Sequence, residues 1–165
     1  MNFVLDTGYY LLASRVSGRS SAALLTSSKQ TIRLGFVLHM SELVWMECVS
    51  HSCYANPTLP PSIWEHSDEV FFLHRFPAIV RIDRPAASAM IEAATNLRKV
   101  IDPTVEPRRR RGPNLVDAVT AQLVRRLDAE VLVTADRADF ELLLPGFDGE
   151  IWTPRELVDR LYVRS

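Results

Sequence analysis

The chain has 165 residues, the size of one domain of about 100–200 residues, and its 47% hydrophobic and 24% charged residues match an ordinary globular protein. This excludes a disordered tail, a collagen-like fibre and a coiled-coil rod. A formal charge of −1 excludes a global field pulling the protein toward nucleic acid or membrane, so any affinity for polyanions is local.

In chain order, Asn2–Asp6 is a short apolar run ending in an acid and reads as a buried first strand. Gly8–Val16 has helical spacing, and Arg19–Lys29 is a second helix rich in Ala and Leu. Gly35–Met40 reads as a strand. Ser41 suits a helix N-cap, and Glu42 behind it complements the positive helix end; Leu43, Trp45, Met46 and Val49 then supply apolar groups along Glu42–Ser50. The prolines of Asn56–Ser62 exclude a helix there. Ser62–Phe76 is expected as one amphipathic helix carrying Ile63, Trp64, Val70, Phe71 and Leu73. Ala78–Ile82 is a strand. Pro85 sits near the first turn of a helix that runs to Lys99. Val100–Pro113 is a loop holding Pro103, Pro107, Pro113 and the run Arg108–Arg111. Asn114 caps a helix reaching Leu127. Glu130–Thr134 is a strand, Arg137–Leu143 a short helix, Gly149–Thr153 the last strand and Pro154–Tyr162 the last helix. Strands alternating with helices predict an α/β fold, with a parallel sheet covered on both faces.

Cys48 and Cys53 lack the further ligands of a zinc site, and Cys48 falls in an apolar run as a buried thiol would. This usage fits a reducing cytoplasm. The start Met-Asn-Phe-Val-Leu-Asp lacks the pattern of a signal peptide, and no run of about 18 apolar residues crosses a membrane. The expectation is a cytoplasmic protein. His39, His51, His66 and His74 show no metal-ligand spacing and read as structural or surface groups. Trp45, Trp64 and Trp152 fall at amphipathic positions suited to core packing. All basic residues but Lys29 and Lys99 are Arg, which suits bidentate phosphate contacts and equally a GC-rich coding bias.

Sites in open parallel sheets form at the carboxyl ends of strands. Asp6 ends the first strand, and Thr134 and Asp136 end Glu130–Thr134. Glu47 lies in the helix after the second strand, and Asp117 in the first turn of the helix capped by Asn114. These acids can converge on one edge. Convergent carboxylates repel by roughly 4 kcal/mol per pair at about 4 Å, with an effective dielectric near 20. A cation or proton must offset that cost. Oxygen donors without His or Cys select Mg²⁺ or Mn²⁺, which polarise a phosphoryl oxygen and lower the pKa of a bound water. Each acid also has a plain structural reading. Asp6 suits a helix cap, Glu47 a solvated helix face, Asp117 a helix N-terminus, and Asp136 a turn or the N-cap of Arg137–Leu143.

These motifs resemble a known family. VLDTGYYLL at the start is similar to the opening of PIN-domain ribonucleases, and MSELVWMEC (Met40–Cys48) to their second motif, which selects Glu47 over Glu42. NLVDAVTAQLVRRLDAEVLVTADRADF (Asn114–Phe140) resembles the third and fourth motifs, and IWTPRELV (Ile151–Val158) the last strand and helix. The likeness runs through nearly the whole chain in order, and within the family it is to the VapC-like toxins. It implies a single PIN-like domain over residues 1–165, a three-layer α/β/α sandwich with a central parallel sheet. It implies a Mg²⁺- or Mn²⁺-dependent endoribonuclease, the toxin of a type II toxin–antitoxin pair, with an RNA substrate, a small antitoxin partner and a homodimeric state.

In that reading Asp6, Glu47, Asp117 and Asp136 are catalytic. Asp6 and Asp117 ligate the ion directly, and Glu47 and Asp136 act through water or a second ion. Asp139 is the alternative fourth acid. Thr134 and Thr7 position water or a carboxylate through their hydroxyls, although both also suit ordinary strand-end hydrogen bonding. Arg108, Arg109, Arg110 and Arg111 contact the RNA backbone, grip an acidic antitoxin tail, or form a solvated loop. The stretch from Ser50 to Pro61 and the loop Val100–Pro113 are longer than in compact members. The alternatives are a PIN-like RNA-binding or scaffold domain without cleavage activity, and a non-toxin RNA-processing nuclease. A haloacid-dehalogenase-like phosphatase needs a second Asp two residues after Asp6, where this chain has Gly8.

Overall fold

The computed structural model describes residues 1–9, 29, 31–55, 57–106 and 111–162. The first expected helix from Tyr10 onward lies outside the described residues, as do the helix expected over Arg19–Lys29, save Lys29, and Arg108, Arg109 and Arg110.

Five parallel strands form one sheet: β1 (Asn2–Leu5), β2 (Val37–Ser41), β3 (Arg81–Asp83), β4 (Val131–Val133) and β5 (Glu150–Trp152), in the order β3-β2-β1-β4-β5. Four lie where the apolar runs predict them; the strand expected over Ala78–Ile82 begins only at Arg81 and runs to Asp83, because the 3₁₀ turn over Phe76–Ala78 takes up the start of that apolar run. The described helices are α1 (Glu42–Ala55), α2 (Pro61–Trp64), α3 (Asp68–Arg75), α4 (Ala87–Val100), α5 (Leu115–Arg126), α6 (Arg137–Leu143) and α7 (Pro154–Tyr162).

Alternation along the strands feeds two cores. Phe3, Leu5, Leu38, Met40, Val131 and Val133 face one side and pack against Val44 and Cys48 of α1, Phe72 and Leu73 of α3, and Leu157 of α7. Val4 and Leu132 face the other and pack against Ala93 of α4, Ala118, Val119 and Val124 of α5, and Phe140 and Leu143 of α6. Both faces of the sheet are covered, giving the expected α/β/α layering, as a parallel sheet requires. Trp45 stacks on Phe76 with ring centroids 5.8 Å apart, and Trp152 meets Phe3 edge-on at 5.4 Å, so both serve packing.

One expectation is corrected. Ser62–Phe76 is not a single helix: α2 stops at Trp64, α3 begins at Asp68, and a 3₁₀ turn follows over Phe76–Ala78. Ser67 adopts an extended conformation (φ −71°, ψ 155°), and its hydroxyl accepts from the Val70 amide. That cap starts a new helix in the middle of the apolar pattern. Trp64 Nε1 donates to the Ser52 carbonyl at 3.0 Å, tying α2 to α1. Ile63 and Phe71 are exposed, so the amphipathic stripe expected for one helix does not form. The other boundaries move slightly: β2 begins at Val37, after a turn in which Gly35 has φ +83°, and α1 continues to Ala55.

Candidate active site

The strand order reverses at β1, with β2 on one side and β4 on the other. Open α/β sheets bind ligands beyond the carboxyl ends of the strands at such a point. Asp6 follows β1, and its amide donates to the Val133 carbonyl of β4 at 2.9 Å. The Thr134 hydroxyl donates to Asp6 Oδ2 at 2.8 Å and accepts from the Asp136 amide at 3.0 Å. One hydroxyl therefore links both strand ends and the turn that carries Asp136.

The other acids arrive on helices. Ser41 Oγ accepts from the Val44 amide at 3.2 Å and starts α1, which carries Glu47; Thr7 Oγ1 donates to Glu47 Oε2. Both threonines thus hold carboxylates, so Thr7 does more than satisfy a strand end. Asn114 caps α5 through its Oδ1, which accepts from the Val116 and Asp117 amides at 2.8 and 3.1 Å. Asp117 Oδ2 accepts from the Asn114 amide at 2.7 Å, completing a capping box. Asp117 therefore has the helix-stabilising role its position predicts and also faces the other acids. Asp136 occupies the N-cap position of α6 without a side-chain cap bond, and Asp139 lies one turn on.

Their charges register one another. Burial raises Asp6 to about 6, against hydrogen bonds from Thr134 and Thr7 that lower it, and the charges of Asp136 and Glu47 raise it further. Burial raises Asp117 to about 7; its bond from the Asn114 amide lowers it, and Asp6, Asp139 and Glu47 raise it. Asp139 is raised by burial and by Asp136. Asp6, Glu47, Asp117, Asp136 and Asp139 thus form one electrostatically coupled anionic edge. Asp6 is 2% exposed and Asp117 8%, so these two carry the heaviest desolvation cost. Burial first, then Glu47 and Asp6, push the Cys48 thiol up and leave it unreactive beside this edge.

Donor chemistry fits a hard divalent ion, since the edge offers oxygens alone. Among the described residues, no group of three His, Cys, Asp or Glu side chains is gathered closely enough to hold a metal ion. An ion held by one or two carboxylates, with water completing its shell, matches the habit of Mg²⁺.

Two features of the edge go beyond the sequence reading. A Cβ on Gly8 would lie 2.8 Å from Ala135 Cβ and 2.9 Å from Ala135 N, so the helical turn after β1 packs directly on the turn after β4. The second is a groove of about 630 Å³ beside Glu47, lined by Thr7, Leu43, Met46, Glu47, Ser50, His51 and Val116. The spacing of Glu47 and His51, one helical turn apart, is its sequence signal.

A separate polar cluster lies on the other face of the sheet. His39 Nδ1 stands 2.8 Å from Asp83 Oδ2 and His39 Nε2 3.2 Å from Asn2 Oδ1, while Arg126 reaches Asp83 at 3.5 Å. His39 is thus a structural group, as expected. Asp83 and Arg126 line a cavity of about 510 Å³ in which Gln122 also donates to Glu92. Arg111, the described member of the basic run, is exposed.

No family model and no curated protein matches the sequence. Solved structures do match. VapC20 of Mycobacterium tuberculosis, a sarcin–ricin loop cleaving toxin, aligns over 79% of this chain and 86% of its own at 17% identity, with a TM-score of 0.50. VapBC2 from Rickettsia felis, bound to a DNA fragment from their promoter, aligns over 92% of this chain and 99% of the matched chain at 16% identity, with a TM-score of 0.56. The chain has the PIN-domain, VapC-like fold. In this PIN fold the sheet edge at the β1–β4 junction carries the acids. At these identities the likeness extends to the fold, and the chemistry rests on the side chains above. No helix among the described residues is long and apolar enough to cross a membrane.

Proposed function

We propose that this protein is a Mg²⁺- or Mn²⁺-dependent endoribonuclease, a single PIN-like domain acting as the toxin of a type II toxin–antitoxin pair in the cytoplasm. The observation that carries the reading is the coupling of Asp6, Glu47, Asp117 and Asp136, from four separate stretches of chain, at the point where the strand order reverses. Two buried carboxylates that repel each other call for a counter-cation. VapC20, a toxin of the same fold, supports the toxin assignment, and VapBC2, bound to promoter DNA, supports a small antitoxin partner. Homodimerisation follows the same resemblance.

Asp6 and Asp117 would hold the ion directly, and Glu47 and Asp136 would act through its waters or a second ion; Asp139 is the alternative to Asp136. A bound ion polarises a phosphoryl oxygen and lowers the pKa of a water. The Thr134 hydroxyl favours the ionised form of Asp6 and aims it, Thr7 Oγ1 donates to Glu47 and aims that carboxylate, and Asn114 fixes Asp117 at the start of α5. Arg111, with Arg108, Arg109 and Arg110, contacts RNA phosphates.

The spread of the acids beyond three-point ligation favours a second reading, a non-cleaving RNA-binding or scaffold domain. One assay separates them. Labelled RNA and a phosphomonoester are incubated with the protein, with and without Mn²⁺. Cleavage of RNA alone, dependent on Mn²⁺ and lost in Asp6→Asn and Asp117→Asn, supports the nuclease. Binding without cleavage supports the second reading.

A further inference from the structure

The first turn of α5 looks toward α1: Val116 lines the groove beside Glu47, and Asp117 registers the Glu47 charge. Thr120 follows one turn along α5, four residues from Val116 and three from Asp117, so it lies on the same strip of the helix. It is fully buried. A threonine inside a helix ordinarily turns its hydroxyl to solvent or bonds the carbonyl four residues back. Thr95 of α4 does the second, donating to the Ile91 carbonyl at 2.9 Å. Thr120 does neither, because its Oγ1 is buried and has no hydrogen-bond partner among the described residues. Buried polar groups are nearly always satisfied by protein or by water, since leaving one unpaired is costly. Asp117 offers the complementary group. Its Oδ2 accepts from the Asn114 amide, while its Oδ1 accepts no bond from the described residues. Ser52 Oγ is also buried without a partner, but it lies on the face of α1 that carries Val44 and Cys48 into the core, more than a turn past Glu47.

We propose that Thr120 is a positioning residue for Asp117, its hydroxyl holding a water against Asp117 Oδ1. The inference rests on the ribonuclease reading. Side chains at this spacing have Cβ atoms about 5–6 Å apart, a separation that one bridging water fits. A buried water needs at least about two polar partners, and the hydroxyl and the carboxylate supply them. With the Asn114 amide on Oδ2 and this water on Oδ1, both oxygens of Asp117 are fixed. Thr120 thus serves Asp117 as Thr134 serves Asp6 and Thr7 serves Glu47. It touches neither the ion nor RNA.

The test compares wild type with Thr120→Val, which removes the hydroxyl and nearly keeps the shape, and Thr120→Ser, which keeps the hydroxyl. Mn²⁺ affinity is measured by calorimetry, melting in EDTA, and RNA cleavage as kcat and KM. Thr120→Val should weaken Mn²⁺ binding by about tenfold or more, the usual effect of removing a group that orients a metal ligand. It should lower kcat more than it changes KM, and its Tm in EDTA should not rise. Thr120→Ser should bind Mn²⁺ as wild type does. A hydroxyl stranded in a dry core predicts the opposite for Thr120→Val, a Tm raised by about 3 °C or more with Mn²⁺ affinity unchanged. Either of those results, or a Thr120→Ser as weak in Mn²⁺ binding as Thr120→Val, overturns the inference, and the ribonuclease reading stands as long as wild type binds Mn²⁺ and cleaves RNA. A wild type that neither binds Mn²⁺ nor cleaves RNA overturns both.

Discussion

The Thr134 hydroxyl donates to Asp6 Oδ2 at 2.8 Å inside a junction where both residues are buried. A hydrogen bond to a charged group contributes about 1.5–3 kcal/mol, and it favours the ionised form of Asp6. Thr134→Val keeps the shape and removes the donor. Asp6 should then hold its proton more tightly, and Mn²⁺ affinity near neutral pH should fall by about tenfold or more. Calorimetry against pH checks this: the loss should shrink at high pH, where Asp6 ionises regardless. A loss that stays constant across pH would point to a packing defect.

The raised carboxylates make stability depend on pH. Asp6 and Asp117 stand near 6 and 7 in the folded chain against 3.8 unfolded. The native state therefore binds more protons than the unfolded state across the interval between these values. The stability this confers is complete below about pH 4 and is lost as pH rises through 6 and 7. For Asp6 alone the loss is roughly 3 kcal/mol. In EDTA, the contribution of these two groups to Tm should fall between pH 5 and pH 8, and Mn²⁺ at pH 8 should recover it. Asp6→Asn and Asp117→Asn should each melt higher than wild type at pH 8 without metal, by about 5 °C or more, while losing cleavage. Variants that melt lower throughout would remove the electrostatic account of this edge.

Asn114 joins fold and site in one residue. Its side chain accepts two amides at the start of α5, and its own amide is taken by Asp117. Asn114→Ala should cost about 1 kcal/mol, the usual value of an N-cap, and should let Asp117 swing. Asn114→Ser keeps a cap oxygen and should recover most of the stability. Thermal denaturation together with Mn²⁺ titration of both variants separates the two roles. Equal Mn²⁺ affinity in all three proteins would mean that the cap does not position Asp117.

The legible parts of the molecule are those governed by local chemistry. The central strands β1 and β4 are buried on both faces, so they read as unbroken apolar runs, and Asp6 and Thr134 mark their ends. Asn114 announces α5 and with it the place of Asp117. The break at Ser67 was hidden because a local cap competes there with an apolar pattern that continues through it. Asp136 and Asp139 lie three residues apart at the start of one helix and share a face, so spacing alone does not rank them; the structure couples Asp136 to Asp6 and Asp139 to Asp117. The contact between Gly8 and Ala135 joins residues far apart in the chain and has no sequence signal beyond the glycine itself.

That contact supports the last prediction. Gly8 lies in the helical turn two residues after Asp6, and Ala135 between Thr134 and Asp136. A methyl group on Gly8 meets both the side chain and the backbone nitrogen of Ala135 at under 3 Å. The backbone nitrogen cannot rotate away, so the two turns must separate. Overpacking of this kind costs about 1–3 kcal/mol. Separation also pulls Asp136 away from Asp6, since the link between them runs through Thr134 in the same turn. Gly8→Ala should therefore lose both stability and Mn²⁺ affinity. The double variant Gly8→Ala with Ala135→Gly relieves the side-chain clash and leaves the backbone one, so it should recover only part of each. Full recovery in the double variant would show that the two methyl groups alone set the spacing of the turns.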